Sequence, residues 1–202
     1  MGKFFISLIL TMSSLALTKP TPYYSFGLGV SNISYNEAES NLKDESGNNA
    51  KKTPISGSAM VIALMGDYTI PFKTNQAVSV RGVIPLLAST GRIFSVGAAY
   101  QYYFGNKAVS DIEIKSLDGV YIKFSPKFRY YAGAATDVSY LFYTSETAKK
   151  TDLIFHVGPT GGMLYRWKDN IDLKLEADFQ IGFGSVVSTT NIKVQSGLTY
   201  QF

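Results

Sequence analysis

Cysteine is absent, which removes disulfide frameworks, thiol nucleophiles and thiolate metal sites together. Histidine occurs once, as His156, so no site that needs several imidazoles can be built. Charge is sparse: Asp, Glu, Lys and Arg supply 17% of the 202 residues, against about a quarter in ordinary soluble domains. The formal net charge is only +4, and basic residues are adjacent only at Lys51-Lys52 and Lys149-Lys150. There is no basic stripe, so nucleic acid is not an expected partner. Beyond the N-terminus there is also no apolar run of the roughly 20 residues that a membrane helix needs.

What is present is apolar residues in dispersed form. The chain is 46% hydrophobic and 14% aromatic, with 18 Gly, 14 Tyr and 13 Phe, yet its mean hydropathy is close to zero. Interleaved apolar and polar residues suit strands with lipid on one side and packed polar groups on the other. Gly relieves crowding inside a narrow barrel, and aromatic rings settle at membrane–water boundaries.

The N-terminus reads as an export address. Lys3 precedes a short apolar stretch, residues 4–12, and the small residues of Ser14-Leu15-Ala16 follow. These are the three parts of a secretory signal peptide. Cleavage is expected after Ala16, with Thr18 as an alternative, leaving residues 17–202 as one mature domain. Ile6 stands where N-myristoylation needs Ser or Thr.

Strand parity is clearest over residues 171–183. Ile171, Leu173, Leu175, Ala177, Phe179, Ile181 and Phe183 alternate with Asp172, Lys174, Glu176, Asp178, Gln180 and Gly182. Successive side chains of a strand point to opposite faces, so one face is apolar and the other charged. The same alternation runs through residues 22–31, 77–85, 92–104, 152–165 and 192–202. Residues 59–65 are apolar on both faces, and small Ala59 and Ala63 are candidates to face inward. Residues 120–144 are too long for one crossing of about 9–11 residues. Either one strand, about 126–145, rises from a periplasmic extension, or a turn near residues 132–136 divides two.

Connections support an up-and-down meander. Residues 71–76 and 168–170 are short turns suited to a periplasmic end, whereas residues 36–55 form a long polar loop suited to the extracellular end. Residues 89–91, 145–151 and 184–190 belong with that loop. The expected fold is an all-β, closed antiparallel transmembrane β-barrel of eight strands, or ten if residues 107–131 add a hairpin.

The final residues carry a resemblance. Leu198, Tyr200 and Phe202 alternate up to a terminal aromatic, which looks like the C-terminal assembly signal of bacterial outer-membrane barrels. Tyr130-Tyr131-Ala132-Gly133-Ala134 and the run from Gly158 through Trp167 into 172–179 resemble a rising strand and the penultimate hairpin of such proteins. By pattern, most of the mature chain is similar to the OmpA/OmpX/OmpW-like class. That resemblance implies outer-membrane residence, contact with lipid and lipopolysaccharide, and recognition by the barrel-insertion machinery. No peptidoglycan-binding segment follows Phe202 in this sequence, so that activity is not implied.

Inward parity nominates a polar network: Arg81, Lys123, Lys127, Arg129, His156, Asp172, Lys174, Glu176, Asp178 and Lys193, with Gln195 beside them. Both signs occur, as buried charges require. Lys193 is expected to pair with Glu176 or Asp178 on the neighbouring strand. Outer-membrane lipid A deacylases place Ser two residues after His, but here that position is Gly158, so His156 reads as a structural lumen residue. No catalytic set, cofactor or metal site is nominated; Glu37, Glu39, Asp44 and Glu45 lack calcium-loop spacing. The expected role is structural or surface-interacting, centred on the 36–55 loop. The alternatives are a small ion or solute pore and a lipid-modifying enzyme.

Overall fold

The structure is a computed structural model. It describes residues 21–37, 41–43, 49–51, 56–88, 91–105, 112–115, 121–124, 126–144 and 149–201. The expected signal peptide and Phe202 lie outside the described residues.

Eight strands close into one antiparallel barrel: β1 (Tyr23–Glu37), β4 (Ser56–Lys73), β5 (Gln76–Ala88), β6 (Gly91–Tyr103), β9 (Phe128–Thr144), β10 (Lys149–Lys168), β11 (Ile171–Phe183) and β12 (Val187–Gln201). β1 pairs with both β4 and β12, from Tyr23↔Thr69 and Tyr23↔Gln201 upward, so the sheet has no free edge. Closure matters because an open sheet leaves a row of unpaired backbone groups. The remaining strands form two separate hairpins, β2 (Asn41–Lys43) with β3 (Asn49–Lys51), and β7 (Ile112–Lys115) with β8 (Tyr121–Phe124).

The strand count settles the choice between eight and ten. β9 is one continuous strand, because Tyr103↔Tyr131 through Gly91↔Tyr143 pairs it with β6 without a break. Of residues 107–131, the described ones before β9 include the β7–β8 hairpin, which is not part of the barrel sheet. That hairpin sits between β6 and β9 at the end that carries Tyr23 and Gln201. The β4–β5 and β10–β11 turns lie at the same end, and the β2–β3 hairpin lies at the other.

Alternation sorts the side chains radially. Phe26, Leu28, Ile62, Leu64, Val80, Val96, Val138, Phe155, Leu175, Phe179, Ile192 and Val194 all point outward and are exposed, so every strand contributes to an apolar belt. Ala59 and Ala63 face inward, joined by Val61 and Met65. Aromatic rings cluster on the belt at the end bearing the chain termini. Tyr24 lies 4.6 Å from Tyr68 and Phe128 lies 4.9 Å from Tyr165, centroid to centroid, with exposed Trp167 nearby in sequence.

Close approach of neighbouring backbones fixes one inward glycine. A Cβ on Gly97 would run into the Asp137 carboxylate and the Thr136 carbonyl, whereas one on Gly82 meets nothing within 4 Å. Gly97→Ala is therefore expected to destabilise the barrel by about 1–3 kcal/mol through overpacking. Gly82→Ala should be neutral, or stabilising by about 0.4–1 kcal/mol through the unfolded chain. Urea unfolding of the two variants in detergent micelles, followed through Trp167 fluorescence, separates them.

Candidate functional site

The interior is filled in layers, each set by the register. At the terminal end Tyr23, Ala77, Tyr103, Tyr131 and Leu164 pack together, and the Tyr23 and Tyr103 hydroxyls bond to each other. The Arg129 guanidinium carbon lies 5.8 Å from the centre of the Tyr23 ring and the side chain bonds Asp172. Arg166 Nε and Gln201 Nε2 each donate to Asp172 at 2.6 Å.

Above this layer the charges meet across the barrel. Arg81 on β5 reaches Glu176 on the opposite wall, and its Nη1 lies 3.1 Å from Asp178 Oδ2. Lys174 pairs with Asp67, and its Nζ lies 3.2 Å from Glu176 Oε2. The Tyr131 hydroxyl and Gln195 Nε2 also donate to Glu176. Lys193 pairs with Asp137. Arg81, Arg129, Arg166, Lys174 and Lys193 are thus matched in number by Asp67, Asp137, Asp172, Glu176 and Asp178. Such matching is what keeps a buried charge tolerable, since a lone one costs several kcal/mol after relaxation.

A neutral polar layer follows. His156, fully buried, has Nδ1 3.0 Å from Ser139 Oγ and Nε2 2.9 Å from Thr189 Oγ1. Beside it Ser31 Oγ donates to Asn191 Oδ1 at 2.6 Å. Both imidazole nitrogens are occupied by hydroxyls. The serine–histidine contact has no carboxylate on the second nitrogen to complete a triad.

The loop-bearing end is closed by an apolar layer. Ile33, Tyr35, Val61, Ala63, Met65, Val83, Ile93, Leu141, Ile154 and Val187 form one buried cluster inside the barrel. Outside that plug Asp152 ties down the β11–β12 turn: it accepts from Val186 N at 3.0 Å, Val187 N at 3.1 Å and Ser185 Oγ at 2.7 Å. Between plug and charge layer lies a cavity of about 10 Å³, lined by Met65, Asp67, Arg81, Val83, Ser95 and Asp137 among others. That is room for about one water molecule. Among the described residues no group of three metal-binding side chains occurs.

The barrel therefore carries charged side chains inside and apolar ones outside. No family model and no curated protein matches the chain. Among solved structures, the N-terminal β-barrel domain of Pseudomonas aeruginosa OprF is similar, with a TM-score of 0.52 at 10% identity over 86% of this chain and 97% of that one. The outer membrane protein OprG of the same organism has a TM-score of 0.50 at 11% identity, over 91% and 97%. The chain has the fold of a small outer-membrane β-barrel.

In this small barrel the nominated polar residues fall into two groups. Arg81, Arg129, His156, Asp172, Lys174, Glu176, Asp178 and Lys193 are brought together in the interior. Lys123 and Lys127 are not. Lys123 lies in the β7–β8 hairpin, and Lys127 is exposed at the bend before Phe128. The chain leaves the barrel after Tyr103 and re-enters it only at Phe128, so parity counted back beyond Phe128 has no barrel face to refer to. The expected pairing of Lys193 is also corrected. Its ammonium bonds Asp137 on the far side rather than Glu176 or Asp178, because Arg81 already holds those two carboxylates.

Asp67, Asp137 and Arg166 belong to the network but were not nominated. Asp67 follows the stretch whose two faces are both apolar, and Arg166 sits next to an outward Trp167. Extending the inward parity of Ala63 and Met65 by one step would have found Asp67. The interior plug was missed because its residues share the parity of polar ones.

The ion pairs make a sharp energetic prediction. Lys193→Met strands Asp137 and should cost about 3–5 kcal/mol. Adding Asp137→Leu should return most of that loss, as a double-mutant cycle by urea unfolding would measure.

Proposed function

We propose that this chain spans the bacterial outer membrane as a sealed barrel and acts through its loop-bearing end, in envelope structure or surface contact. The observation that carries this reading is the plug. Seven of the eight barrel strands contribute side chains to one apolar cluster across the interior, with paired charges and a tyrosine cluster behind it. Such packing supports a bore filled by side chains, and an eight-stranded barrel is just wide enough for them.

Membrane residence is supported by the exposed belt, since soluble monomers rarely expose apolar patches beyond about 300–600 Å². It is supported too by the resemblance in fold to OprF and OprG. The working surface is the polar loop over residues 36–55, of which the β2–β3 hairpin is described. Lipopolysaccharide is the neighbour it would meet first, and the insertion machinery would read Leu198, Tyr200 and Phe202 during assembly. Leu198 and Tyr200 face outward and are exposed. Catalysis is not proposed: His156 is enclosed between hydroxyls beneath the plug, so lipid A from cells with and without the protein should be identical by mass spectrometry.

A gated ion pathway is the second reading, favoured by the layer of charges inside the barrel. Planar-bilayer recording of the refolded protein separates the two. The sealed barrel gives no discrete channels in any salt, while Leu141→Ala combined with Ile154→Ala thins the plug and should produce measurable leak. Discrete openings in the unmodified protein would favour the pore.

A further inference from the structure

One seam of the closed barrel is paired over only part of its length. Among the described residues β5 and β6 are paired from Gln76↔Tyr102 to Val83↔Ser95 and no further, although β5 runs on to Ala88 and β6 starts at Gly91. Their ends part: β5 stays with β4 up to Val61↔Ala88, and β6 stays with β9 from Gly91↔Tyr143. Every other barrel seam carries its pairing to the loop end of one of its two strands.

The cause is local. Pro85 has no N–H to offer a ladder. The register then slips from Ala63↔Pro85 to Ile62↔Leu87, so β5 holds an extra residue, a bulge that bends it away. The slip also turns two successive side chains outward: Leu86 is 54% and Leu87 is 67% exposed. Ile84 and Phe94 complete the outer lips, both exposed. Behind the gap stand Val83 and Ile93, members of the interior plug, with Ala88 packed against it.

We infer that this notch is a binding site for one hydrocarbon chain, the acyl chain of an outer-leaflet lipid, lying along Leu86, Leu87 and Phe94 with its end toward Val83 and Ile93. The inference rests on the membrane reading above. Continuity selects the occupant. The notch opens from the lipid-facing belt, its described lips are apolar, and its floor is the apolar plug, so hydrocarbon fills it at no desolvation cost while water does not. A recess left empty forfeits dispersion contacts on both lips. The ester or amide groups at the head of the chain would lie level with Ala88 and Gly91. There the parted backbones have no ladder partner across the seam, and such groups need satisfying within lipid.

The test uses the mature chain refolded into phosphatidylcholine vesicles that carry a diazirine on the acyl chain, with photolabelled residues mapped by mass spectrometry. Labelling at Ile84, Leu86, Leu87 and Phe94 should exceed that at Phe179 and Ile181, which are exposed on a fully paired seam, by several-fold. Pro85→Thr restores an N–H and should lower the excess by lengthening the seam. Leu86→Asn with Leu87→Asn should abolish it while heat-modifiable folding is retained. Even labelling around the belt, or an excess that survives the Asn pair in a folded barrel, overturns the site. Absence of label anywhere on the belt overturns the membrane reading with it.

Discussion

Arg81 crosses the interior to Glu176 and Asp178, and much of the rest of the barrel is arranged around that contact. A guanidinium cannot stand in hydrocarbon, and it cannot be stripped of water without acceptors to replace it. The closed sheet supplies a wall against the first, and the opposed carboxylates supply the second. Lys174 then joins Glu176 to Asp67, so these pairs form a connected lattice, and Lys193 holds Asp137. Removing one member leaves an opposite charge stranded at low dielectric. The lattice ties together strands that are not neighbours in the sheet, which backbone hydrogen bonds alone do not do.

Much of this was legible in the sequence, and the limits have physical causes. Parity alone oriented β11 and β12, because each has an apolar face and a polar face with few exceptions. It could not say which charges meet. Partners across the lumen depend on strand order and stagger, which alternation does not encode, and so Lys193 went to a neighbour in expectation and to Asp137 in the structure. Parity also fails where both faces are apolar. Val61, Ile93 and Ile154 are inward residues that resemble outward ones, so the plug could not be told from the belt. Lys123 and Lys127 illustrate a third limit, since counting along the chain assumes that the strand never leaves the sheet.

The division of the interior gives the two ends of the molecule different roles. The terminal end is closed by tyrosines and Arg129, the loop-bearing end by aliphatic side chains, and the charges lie between. On the function proposed above, that order keeps the ions away from both mouths and leaves the loop-bearing surface, rather than the bore, to meet the outside. Identities of 10–11% to OprF and OprG across nearly the whole barrel are consistent with this physics. The fold demands alternation, closure and charge matching inside, and many sequences supply them.

All of this depends on the belt meeting hydrocarbon, and the single tryptophan reports on that directly. Trp167 is 57% exposed on the outer surface near the chain termini, with the Lys168 ammonium 5.4 Å from its ring centre. In vesicles of brominated phospholipid, its emission should be quenched most strongly by bromines placed near the headgroup, weakly by those near the bilayer centre, and little by aqueous acrylamide. Free access to acrylamide with no quenching by any brominated lipid would contradict the membrane-spanning barrel.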